Sequence, residues 1–135
     1  MTEALIVLPV LIVFTFGILE FGNILVQRQQ LQTGVRDAAR YWSRCRPDFS
    51  NCSLATARNI AFYGNPAGTG ALRVPNWSED SMLVITPETP PGAPVATDLV
   101  EVTGTVNYLQ SPVFALLLDD AITFQYVHRE RYIGW

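Results

Sequence analysis

Cys45 and Cys52 are the residue pair whose type and spacing most invite chemistry. They bracket a short loop that holds a proline and several turn formers. The gap of six residues is not the spacing of a redox-active Cys-x-x-Cys pair. Two sulfurs and the remote His128 do not complete a four-ligand zinc site. A disulfide, and with it an oxidising compartment, is the favoured reading; free thiols are the alternative. His128 is the only histidine and follows Tyr126 on the core side of the last strand-like stretch, beside Arg129, Glu130 and Arg131. No nucleophile arrangement accompanies it, so a structural role is expected. Asp119 and Asp120 are too few ligands for calcium and are expected to shape a turn. No Gly-rich phosphate loop or metal-ligand spacing occurs. The chain is therefore expected to be no enzyme and to need no cofactor. Asn51 and Asn76 begin glycosylation patterns of a kind that is frequent by chance.

Two carboxylates, Glu3 and Glu20, raise a different kind of chemistry, because they punctuate an apolar run from Ala4 to Val26. Such a run is long enough to cross a bilayer, which takes roughly 20 mostly apolar residues. An unpaired charge within a membrane is expensive. Glu3, taken by itself, reads as an interfacial acid favoured by the helix dipole. Glu20 lies about 25 Å farther along a helix, near the outer interface. There it either snorkels to water or makes a polar contact between packed helices. Pro9 should kink the helix or open its hydrogen-bond ladder. Gly17 and Gly22, with Phe21 between them, are candidates for close approach of another helix, and Leu31 and Val35 are expected to join in helix packing.

The charge distribution fits an anchored protein. Residues 28–46 carry Arg28, Arg36, Arg40, Arg44 and Arg46 against Asp37, in a chain whose net charge is −3 and which has no lysine. Such a cluster just past the apolar run is expected to sit among lipid headgroups. The remaining chain is acidic, which argues against a nucleic-acid partner. Arginines that follow the run place the C-terminal part in the cytoplasm by the positive-inside rule, whereas a disulfide places it outside. A removed basic leader would resolve that conflict.

The elements that hold these residues follow from periodicity. Leu31, Val35, Ala38, Ala39 and Trp42 recur at helical spacing and form one buried stripe. With no proline between Val10 and Arg46, one helix is predicted over about 3–44. Its first part, 1–27, is the transmembrane half and 28–46 is an amphipathic continuation packed on a small head, 47–135. A short helix is expected over 53–63, capped by Ser53. Strands are expected over 82–86, 99–108 and 121–133, from alternation such as Val100, Val102, Val106 against Glu101, Thr103, Thr105. The Pro-rich stretch from Pro87 to Pro94 must be surface loop. Phe49, Trp77 and Trp135 either pack on the head or serve a partner. The fold class is α+β: a long helix on a small antiparallel sheet of about three strands.

Four stretches, Glu3–Pro9, Gly17–Gly22, Arg28–Gln32 and Val35–Tyr41, resemble in order the TadE-like proteins, minor pseudopilins of bacterial tight-adherence (Tad) pili, a type IV pilus system. The resemblance implies a pilin-like fold, cutting by a prepilin peptidase, and a head outside the inner membrane. It also implies a partner minor pseudopilin, a major pilin and an inner-membrane assembly platform as partners, besides membrane lipid. It makes Glu3 the carboxylate that aids subunit docking, and it implies a part in pilus assembly and cell adhesion. Only Met1 and Thr2 precede Glu3, so the sequence is expected to be a mature or trimmed form, or one numbered from an internal methionine. The competing expectation is a bitopic anchor for an extracytoplasmic binding or sensor domain.

Overall fold

A computed structural model describes residues 2–46, 52–92, 95, 97–115 and 121–133. Phe49, Asn51, Asp119, Asp120 and Trp135 lie outside the described residues. The chain runs α1 (Thr2–Ser43), α2 (Leu54–Tyr63), a 3₁₀ turn (Asp80–Met82), β1 (Leu83–Thr86), β2 (Leu99–Asn107), α3 (Pro112–Ala115) and β3 (Thr123–Arg131). This is the expected α+β class: one long helix and one three-stranded sheet of order β1-β2-β3, antiparallel throughout.

Helix α1 has 42 residues, which makes it about 63 Å long. Glu3 lies in its first turn and Arg40 in its last, each at the end where the dipole favours its charge. The helix continues through Pro9 without a break. Proline cannot give the Leu5 carbonyl its usual N–H partner. Near the far end, Leu31, Val35, Ala38, Ala39 and Trp42 are all buried, so the predicted stripe is the one the head covers.

Helix α2 begins at Ser53, whose hydroxyl accepts from the Ala55 N–H at 3.2 Å. It ends at Gly64, which takes φ 77° and donates to Ile60 O. This left-handed C-cap is one that glycine adopts without a Cβ penalty. Its buried face is Ala57, Ala61 and Phe62. Ile60 beside them is only half-buried.

The sheet lies on α1 through β2 and β3; Val100, Val102 and Val106 of β2 are buried, as are Leu83 and Ile85 of β1 in the same core. The expected alternation holds, and Met82 belongs to the 3₁₀ turn rather than to β1. Gly104 faces α1 at the middle of β2, where a Cβ would come within 2.5 Å of Val35 Cγ2 and 3.2 Å of Trp77 Cζ2. Gly34 of α1 mirrors it: a Cβ there would meet Ala61 O at 2.6 Å and Trp77 Cζ3 at 2.7 Å. The Trp77 indole thus fills a slot between two glycines. It has no exposed surface and stacks edge-on with Phe62 at 5.0 Å. Trp77 is a core residue and does not offer a surface to a partner. The C-terminal end of β3 is tied back to α1, since Tyr132 OH donates to Cys45 O and Ile133 N–H to Ser43 O.

Candidate assembly surface on the long helix

The head covers only part of α1. Residues 3–19 are exposed on every side, with Leu5, Phe14 and Ile18 at 76%, 66% and 71%. This stretch rises about 25 Å, somewhat short of a hydrocarbon core of about 30 Å, a difference that local thinning accommodates. A helix apolar all round requires an apolar surrounding. It is long and apolar enough to cross a membrane. Gly17 and Gly22 have nothing within 4 Å of where a Cβ would sit, so both leave helix backbone uncovered. Their five-residue spacing puts them about 140° apart around the axis, on different faces. Val13, Phe14, Gly17, Ile18 and Phe21 line one shallow apolar depression. Glu3, in the first turn, is exposed.

At Glu20 the environment changes. Glu20, Ile24, Gln27, Leu31 and Val35 lie on one stripe at spacings of four, three, four and four. Along it Glu20 is 6% exposed, Gln27 5% and Leu31 1%. The head therefore meets the helix at Glu20, eight residues before the expected start of the amphipathic part. Tyr108, just past β2, donates its hydroxyl hydrogen to Glu20 Oε1 at 2.7 Å, and the Ser111 N–H donates to the same oxygen at 3.1 Å. Asn23 donates to Tyr108 Oη at 3.0 Å, and Gln27 donates to Asn23 Oδ1 at 3.3 Å. The result is a directed chain from Gln27 through Asn23 and Tyr108 to the carboxylate. Burial, and the carboxylate that accepts its proton, push the Tyr108 phenol up to about 12. Glu20 thus has polar partners within its own chain. Leu31 and Val35, expected to serve helix packing, are spent on the chain's own sheet.

Farther out, the Cys45 and Cys52 sulfurs lie at bonding distance, with Cα atoms 5.6 Å apart. They border an open cleft between the end of α1 and α2, lined also by Asp37, Arg40, Tyr41 and Arg44. Arg73 pairs with Asp37 at 2.7 Å across α1, and Arg36 donates to Tyr126 Oη at 3.1 Å. The basic stretch thus divides into head contacts and exposed charges such as Arg28, Arg40 and Arg44. His128 stacks on Tyr126 with centroids 6.4 Å apart. Among the described residues no group of three or more His, Cys, Asp or Glu gathers as metal ligands.

Reasoning from the sequence passed over Asn23, Gln27, Tyr108 and Ser111. A signal existed for Gln27, a polar residue on the stripe that continues to Leu31 and Val35; Asn23, exposed, stands at its edge. Tyr108 and Ser111 give no local sign, because their role depends on a contact nearly 90 residues away in sequence. No curated protein and no solved structure matches the chain. The family model described as TadE-like protein does match, over residues 1–40, and so takes in the exposed apolar stretch, the Glu20 junction and nearly all of α1.

Proposed function

We propose that this chain is a minor pseudopilin that takes part in assembling a Tad-type pilus. Its apolar half-helix packs among other pilin helices and its head is presented to a partner subunit. The observation that carries the reading is the coincidence of the TadE-like match with a helix bare on every side over 3–19. Association in lipid is driven by side-chain packing and a few polar contacts, and the uncovered backbone at Gly17 and Gly22 suits it. In this reading Glu3 docks against a neighbour. The head sits outside the inner membrane, where the cysteine pair stays oxidised. Prepilin peptidase, a partner minor pseudopilin, the major pilin and the inner-membrane platform are its partners. It acts by assembly and carries out no catalysis.

The test is the intact mass and N-terminal residue of the native protein in hosts with and without prepilin peptidase. A longer, leader-bearing form without the peptidase supports the pilin pathway. The same N-terminus in both hosts makes the chain an ordinary membrane anchor, and the assembly role is then wrong.

A further inference from the structure

Among the described residues, no strand covers the outer edge of β3. The Tyr108 N–H donates to Ile122 O and the Tyr132 N–H to Asp98 O, which fixes the phase of the β2–β3 ladder. Phe124, Tyr126, His128 and Glu130 are the residues of β3 that bond to β2. The backbone N–H and C=O groups of Thr123, Gln125, Val127 and Arg129 then point away from the sheet. No hydrogen bond joins them to any described residue. Long edges of this kind are normally blunted by lysine, proline, a bulge or short length. Thr123, Gln125 and Val127 supply no charge or proline, the charges of the strand being gathered at its far end in Arg129, Glu130 and Arg131, and the register runs unbroken over nine pairs.

Burial shows that cover is missing on the same side. The α1-facing residues of β2 are closed, with Val100 and Val102 at 0% and Val106 at 1%. Their counterparts on β3, Phe124, Tyr126 and His128, face the same way and are only half-buried. A further strand along β3 would close their flanks.

The helix decides what that strand is. In an antiparallel sheet the two-fold axis between neighbouring strands stands normal to the sheet. This sheet lies flat on α1, so self-pairing through β3 would turn one α1 upside down relative to the other. Two copies in one membrane cannot do that. Head-to-tail pairing with β1 of another copy offers only four residues, Leu83–Thr86, for a nine-residue edge. We propose that β3 is a strand-docking edge for an extended segment of a different pilin-like subunit, with apolar side chains at alternate positions set against Phe124, Tyr126 and His128. Main-chain bonds then supply affinity and the alternate side chains specificity. The inference rests on the assembly reading above.

The test uses the full chain in cells that make the pilus, with a photo-crosslinking phenylalanine derivative at Thr123 and adducts mapped by mass spectrometry. Val127→Pro and Gln125→Pro remove outward N–H groups that the fold does not use, while Val127→Thr keeps the backbone donor. The expected result is an adduct on an extended segment of a different pilin-like subunit. The two proline variants should weaken it about tenfold and the threonine variant should leave it unchanged. An adduct on a second copy of this chain, or an undiminished adduct in a proline variant of unchanged melting temperature, overturns the proposal. If the proline variants still co-purify with the filament, the edge is wrong and the assembly role stands. If the unaltered chain joins no pilin-like complex, both fail.

Discussion

At the scale of single residues, Glu20 shows how a carboxylate is kept at a membrane boundary. A buried acid is costly unless its oxygens are hydrogen-bonded, and here a phenol and a backbone N–H reach the same oxygen. Removing the acceptor should cost more than changing its charge. Glu20→Ala leaves the Tyr108 hydroxyl and the Ser111 N–H without their acceptor and should destabilise the head–helix contact by about 1–3 kcal/mol. Glu20→Gln keeps an acceptor oxygen and should cost less than half of that. Chemical denaturation in detergent, followed by the fluorescence of the buried Trp42 and Trp77, measures both. Equal losses in the two variants would mean that charge, and not acceptor geometry, matters at this position.

Tyr108 adds a pH signature. Its phenol is held up to about 12 in the folded chain, against about 10 for an ordinary tyrosine. The folded state therefore keeps the proton after the unfolded state has lost it. By linkage this contribution is intact below about pH 10 and is lost as pH rises to about 12. Melting temperature followed from pH 9 to 12 should fall, and Tyr108→Phe should flatten that fall while lowering stability at neutral pH. A variant with the unaltered chain's alkaline slope would place the cause elsewhere.

At the scale of elements, the helix and sheet meet through absent side chains. Gly34 and Gly104 both approach the Trp77 indole, and a methyl group at either would sit inside van der Waals contact. Gly34→Ala should gain some helix propensity but lose about 1–3 kcal/mol to overpacking. Gly104→Ala strikes Val35 and Leu31 as well and should be at least as harmful. A Trp77→Phe background that rescues either variant would show that the indole is the obstruction. Rescue of neither would point to the backbone at Ala61 or to Val35.

The same contact shows what was legible in the sequence. The apolar stripe from Leu31 to Trp42 and the alternation along β2 and β3 are local, so their periods could be read directly. The Ser53 cap is local too. Gly104 reads locally as a weakness in a strand, and Trp77 as an aromatic in a Gly- and Pro-rich loop. Their meaning comes from one another and from Gly34, which lie far apart in the chain. The Glu20 junction was half legible for the same reason: its place near the interface follows from helix rise, and its Tyr108 partner does not.

The cysteine pair is an element-scale staple, because it holds the end of α1 near the start of α2. A sequence separation of seven closes a small loop, worth about 2–3 kcal/mol on the chain-entropy account. Cys45→Ser or Cys52→Ser should lower the melting temperature, and dithiothreitol should then have no further effect on the variant. A reductant-sensitive melt in the variant would assign the effect to something other than this pair.

At the scale of the whole molecule, the head's reach along α1 sets where the chain leaves the membrane. If the head covered α1 only from Arg28, the apolar run to Val26 would span a bilayer without help. The structure begins that cover at Glu20, and the bare stretch of about 25 Å falls somewhat short of a hydrocarbon core of about 30 Å. Phe21, Leu25 and Val26 make up the difference on the other faces, at 63%, 44% and 55% exposure. At this height the helix is thus polar and covered by the head on the Tyr108 side and apolar and bare on the opposite side, so the head should lean over the bilayer surface on one side. Single cysteines test this asymmetry, with Cys45 and Cys52 kept oxidised. In membrane vesicles with the head exposed, a membrane-impermeant maleimide should label Arg28→Cys readily and leave Ile12→Cys and Leu25→Cys unlabelled. Asn23→Cys, on the polar side, should react at an intermediate rate. Equal reaction at positions 23 and 25 would mean that the helix crosses upright with its whole circumference in one phase. The Glu20 junction would then hold the head to the helix without tilting it toward the membrane.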